Sequence, residues 1–246
     1  MPEKFRIPTP VSYLTSCVAW TTHLYTATGA VFALLALHAF VAGTPREGFL
    51  WLYAAVVVDA TDGWLARLVK VDQRLPSVDG VLLDSIIDYV TFVFVPAYFV
   101  YAILLVPPGW NGLLASAMIL SSAYGFSHRN AKTADYFFRG FPSYWNIVVF
   151  YLYAASLPPS ITAGVLLTLV VMVFIPVSYV YPSRTPTLRR LTIFLGLVWA
   201  ALMLFSIWQV PEVRRWLLVT TLSHLPKRVM VFMLILTPTK GKLLLS

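Results

Sequence analysis

Seven apolar runs, near 17–42, 48–69, 80–105, 111–127, 143–157, 160–181 and 190–209, dominate this chain of 246 residues. Most approach the ~20 residues a helix needs to cross a bilayer. Lipid offers no water to satisfy exposed backbone groups, so such runs can only be helices packed side by side. The expected fold is therefore all-α, a polytopic transmembrane helical bundle of about 7–8 helices. Turn chemistry separates the runs at Gly43-Thr44-Pro45, Pro107-Pro108-Gly109, Pro158-Pro159 and Pro182-Ser183. An eighth run, 213–236, is interrupted by Pro226-Lys227-Arg228 and reads as a broken or interfacial helix. The first run is too long for the core of a signal peptide and reads as a retained span. Three regions follow: an N-terminal segment 1–16, a transmembrane domain 17–210, and a C-terminal helix and tail 211–246.

Composition agrees, with 59% hydrophobic and 11% charged residues. The net charge of +8 is read through topology before nucleic acid, for which no basic run or zinc spacing is present. With a cytoplasmic N-terminus, eleven basic residues fall on the cytoplasmic side, from Lys4 and Arg6 through Arg67, Lys70 and Arg74 to Arg190. Only Arg46, Arg214 and Arg215 fall opposite, which is a clear positive-inside bias. Cys17 stands alone and excludes an intrachain disulfide.

Against this background, four of the ten acidic residues lie inside apolar runs: Asp59 and Asp62 in the second, Asp84 and Asp88 in the third. An ionised carboxylate in a bilayer costs a few kcal/mol or more and marks a function. Spacings of three and four residues put each pair on one helical face. Two such faces meeting across a hairpin make an acidic cluster that suits hard cations, Mg²⁺ or Mn²⁺, rather than zinc. Two ions there would clamp a diphosphate. Arg67 shares the stripe of Asp59 and Asp62, as a bidentate phosphate clamp would. Gly63, Ala66 and Gly80 strip side-chain bulk from the same surface. The remaining aspartates Asp72, Asp79 and Asp135 read as ordinary loop residues.

The stretch Asp59-x2-Asp62-Gly63-x2-Ala66-Arg67, then Gly80-x3-Asp84-x3-Asp88, resembles the signature of the CDP-alcohol phosphotransferase family at all eight fixed positions. The twelve-residue spacer between Arg67 and Gly80 exceeds the usual pattern by about one helical turn, a feature similar to the phosphatidylcholine synthase branch. Asp135 to Asn146 and Ala19 to Gly29 resemble that branch too, and the likeness covers roughly residues 15–210. The resemblance implies that Asp59, Asp62, Asp84 and Asp88 bind two divalent cations. Asp62, Gly63, Ala66, Arg67 and Gly80 would hold CDP-diacylglycerol, and Asp88 would act as the catalytic base. It also implies choline as acceptor, phosphatidylcholine and CMP as products, a homodimer, and a bacterial cytoplasmic membrane.

A quaternary ammonium is held by aromatic faces, and the candidates are Tyr144, Trp145 and Tyr89, with Trp20, His23 and Tyr25 on the first helix. Arg129 and Asn130, beside His128, are candidates for phosphate or the lipid headgroup. Another acceptor, such as serine, glycerol phosphate or inositol phosphate, would call for a more basic pocket than the aromatic-rich 136–145 segment offers. A cation-coupled transporter also uses membrane carboxylates, but no internal repeat is evident.

Overall fold

The computed structural model describes residues 10–104, 106–127, 137–139, 141–175, 178–180 and 189–224. Helix α1 spans Pro10–Val41, seven residues ahead of the expected start, and proline suits a first helical position. Helix α2 spans Pro45–Val69, α3 Val71–Arg74, α4 Gly80–Asp88 and α5 Val95–Ala102. Then follow α6 (Asn111–Ser127), α7 (Trp145–Ala154), α8 (Pro159–Phe174), α9 (Arg189–Trp208) and α10 (Arg215–His224). Among the described residues, three helical segments are long and apolar enough to span a membrane: Cys17–Val41, Pro45–Val69 and Gly80–Ala102. Shorter apolar helices lie at Trp145–Ala154, Pro159–Phe174 and Ile193–Trp208. Leu24, Leu34, Leu120 and Leu197 are exposed on the outside, as side chains facing lipid would be.

The tight α1–α2 hairpin rests on Gly43, whose φ of +74° is open to glycine. Its neighbour Thr44 donates its N–H to Ala39 O at 2.9 Å, closing the end of α1. The fifth run yields only ten helical residues. Pro142 and Ser143, at φ +57°, hold the chain out of the helix before Trp145. Ser156, at φ +48°, ends the segment just before Pro158-Pro159.

The third span is not uniform. Between α4 and α5, residues Tyr89–Phe94 form a π-helical turn. Pro96 supplies the reason: it has no N–H for the carbonyl four residues back, and its ring crowds that carbonyl. Widening the helix upstream accommodates both.

The core packs around aromatic rings. Phe99 meets Phe40 at a centroid distance of 4.7 Å, Phe49 at 5.0 Å and Tyr153 at 5.2 Å, tying α1, α2, α5 and α7 together. Helix α6 packs on α5 and α8, and α9 packs on α2 and α10. One departure from an all-helical chain appears among the described residues: Phe137–Arg139 pairs antiparallel with Ser178–Val180. Of the expected eighth run, α10 ends at His224, and residues 225–236 lie outside the described residues.

Candidate active site

The site is built where α2 ends and α4 begins, with α1 packed along both. Two close contacts fix α1 on the third span. A Cβ on Gly29 would lie 2.5 Å from Ile87 Cγ2, and one on Gly80 would lie 3.0 Å from His23 Cε1. Residue 23 faces 80 and residue 29 faces 87, so the two helices run parallel, and Thr26 stands level with Asp84. Small residues are what allow this approach.

The expected meeting of the two acidic faces is present. Carboxylate oxygens of Asp59, Asp84 and Asp88 all lie within 4.8 Å of one another. Asp62 is buried in the same cleft, facing the Thr26 hydroxyl and within the electrostatic reach of Arg67. Thr26, Gly29, Thr91 and the four acids line this cleft, whose volume of about 10 Å³ has room for about one water or ion.

Arg67 is exposed and folds back, so that a Cβ on Gly63 would lie 3.4 Å from its Nη1. The long spacer resolves into local structure. Lys70, at φ +54°, stops α2 and donates its N–H to Ala66 O and Arg67 O. The four residues Val71–Arg74 then form α3, a single turn that matches the extra length. Asp79, read from sequence as an ordinary loop acid, is instead the N-cap of α4: its Oδ1 accepts the Leu82 N–H at 2.9 Å. An Asp just ahead of an apolar run at helical spacing is the signal that would have found it.

No protein-family model matches the chain. Curated relatives do. It is 38% identical over 181 residues to phosphatidylcholine synthase of Pseudomonas aeruginosa, covering 74% of this chain and 76% of the relative. With the phosphatidylcholine synthase of Rhizobium johnstonii the identity is 35% over 201 residues, covering 82% and 83%. With that of Bradyrhizobium diazoefficiens it is 40% over 189 residues, covering 77% and 71%. The chain belongs to the phosphatidylcholine synthase family. It is an enzyme of the membrane.

The aromatic candidates divide. Trp145 is wholly buried and its Nε1–H donates to Ser122 Oγ at 2.8 Å, so both ring and donor are committed to the core. Tyr144 is half-buried with its ring 5.8 Å from that of Phe92 in the π turn. Tyr89, next to Asp88, is half-buried and donates its hydroxyl to Ile119 O at 2.9 Å. Trp20 is exposed on α1, and the Tyr25 and Thr61 hydroxyls are hydrogen-bonded at 2.7 Å. His23 is buried, with Nε2 lacking a hydrogen-bond partner among the described residues. An unmade bond of this kind costs about 1–3 kcal/mol. Arg129 and Asn130 lie outside the described residues, as do His128 and Asp135.

The donor set fits a divalent cation. Three carboxylates with no Cys or His in the cluster suit an oxygen-seeking ion. Oxygens on opposite sides of Mg²⁺ stand about 4.2 Å apart, close to the spread seen here. Without an ion, carboxylate charges this close would repel one another. A cation among them reverses the sign of that interaction. Thr26 and Thr91 are both buried in the cleft wall. Thr26 belongs to the Ala19–Gly29 stretch but has no role assigned from sequence, and Thr91 escapes notice because a threonine in a membrane helix has no distinguishing pattern.

Proposed function

We propose that this protein transfers the phosphatidyl group of CDP-diacylglycerol to choline, forming phosphatidylcholine and releasing CMP. The observation that carries it is the convergence of Asp59, Asp84 and Asp88 within 4.8 Å inside a membrane helix bundle. The names of the relatives support phosphatidylcholine as product. The choline oxygen attacks the phosphorus bonded to diacylglycerol, the P–O bond to CMP breaks, and the choline proton passes to Asp88. A general base of this kind contributes about 10²–10⁴-fold.

Asp59, Asp62, Asp84 and Asp88 would hold one or two Mg²⁺ or Mn²⁺. Bound there, the cations neutralise the diphosphate and the charge developing on the departing CMP. Arg67 binds a phosphate oxygen, Gly63 and Ala66 leave room for the nucleotide to lie against α2, and Gly80 serves by admitting the His23 ring. For choline, Tyr89 and Tyr144 offer ring faces, the first beside Asp88 and the second against Phe92 of the π turn, while Trp145 stays in the core. The same reading places the N-terminus and the site on the cytoplasmic side of a bacterial inner membrane, in a homodimer.

The test is CMP release by the purified full chain given CDP-diacylglycerol, Mn²⁺ and a panel of alcohols. Release is expected with choline and is expected to stop on chelation. Release with serine, glycerol phosphate or inositol phosphate but not choline would overturn the acceptor. Cation uptake in proteoliposomes without CMP release would replace the enzyme with a transporter.

A further inference from the structure

We propose that His23 is a substrate-binding residue, its Nε2–H donating a hydrogen bond to the diphosphate of the nucleotide-bearing lipid. The inference rests on the reading of the site as a CDP-lipid site and adds to it a ligand that none of the motif residues supplies. Three observations converge. His23 is 7% exposed, and its Nε2 is buried without a hydrogen-bond partner among the described residues. Its ring is pressed on Gly80, where a Cβ would lie 3.0 Å from Cε1. It stands one helical turn from Thr26, whose hydroxyl faces Asp62.

These contacts set its height in the bundle. Thr26 is level with Asp84, and His23 lies about 4.5 Å further along α1, toward the end where α4 begins. Going the same way, α2 presents Gly63, Ala66 and Arg67. His23 therefore stands level with Gly80, one helical turn along from the layer of the carboxylates. A diphosphate held on a cation by Asp59, Asp84 and Asp88 would extend toward that level. Imidazole can present an N–H at Nε2 whether neutral or charged, and a donor suits an anion. The proposal gives His23 to the diphosphate, where the aromatic-face reading of the sequence had offered it to choline.

His23→Phe keeps the ring and removes the donor. The requirement for CDP-diacylglycerol is expected to rise about tenfold or more, with that for choline unchanged. An unchanged lipid requirement, or a rise confined to choline, would overturn the proposal. A second measurement reads binding without turnover: protection of the full chain in detergent against thermal unfolding by CMP with Mn²⁺. The parent is expected to be protected and His23→Phe not; equal protection of both would overturn it. Should His23→Phe not fold, His23→Gln, which sets an amide N–H near Nε2, is expected to keep CMP protection, and the shorter His23→Asn to lose it. Equal behaviour of the two would overturn it. A parent that binds CMP but releases none with choline would sink the proposed reaction and leave the His23 assignment standing.

Discussion

The two ends of this bundle are built on opposite principles. At one end, Phe40, Phe49, Phe99, Phe150 and Tyr153 interlock with ring centroids 4.7–5.8 Å apart, and Phe99 is fully buried. At the other, the same α1, α2 and third span bring together a cluster of carboxylates within 4.8 Å and a histidine nitrogen without a hydrogen-bond partner among the described residues. The first end gains from dispersion and edge-to-face contact. The second stores unfavourable terms that a cation and an anionic ligand would relieve. Stability and chemistry are thus assigned to different ends of shared helices, a separation in keeping with the usual cost of an active site to stability.

Three substitutions probe that division. Asp88→Asn is expected to lower acceptor-dependent CMP release by about 10²–10⁴-fold. Thermal unfolding of the metal-free protein should be no lower, because the amide fills the same space and adds no charge to the acidic cleft; a lower transition would make Asp88 a structural residue. At the opposite end, Phe99→Ala is expected to cost about 3–5 kcal/mol in unfolding measured in mild detergent. Turnover per folded molecule should stay the same, and a loss of turnover without a loss of stability would erase the distinction between the ends. Asp79→Ala removes the cap of α4 and is expected to cost about 1 kcal/mol. It also loosens the helix that carries Asp84 and Asp88, so a small fall in turnover should accompany it. A full loss of turnover at unchanged stability would place Asp79 among the ligands.

The acidic pairing was legible in the sequence because helical spacing and the cost of a membrane carboxylate both act locally. Asp59, Asp84 and Asp88 meet as their spacing predicts, and the spacer turn appears as α3. What the sequence could not show is the depth of neighbours from other helices. Trp145 reads as an aromatic face for a quaternary ammonium, yet Ser122, a residue of α6, takes its N–H and seats it in the core. His23 gains its meaning only from Gly80, fifty-seven positions away, whose missing side chain admits the ring. Residues 80–105 read as one uniform span, although Pro96 was there to signal the widened turn at Tyr89–Phe94.

That widened turn gives the third span an unusual freedom of phase. In a plain α-helix each residue advances the face by about 100°, so the direction of Asp88 would dictate that of Phe99. A π turn lodges one surplus residue in the coil. The angular setting of the carboxylates and that of the aromatic rings are thereby uncoupled, and each end of the helix can be aimed at its own partners.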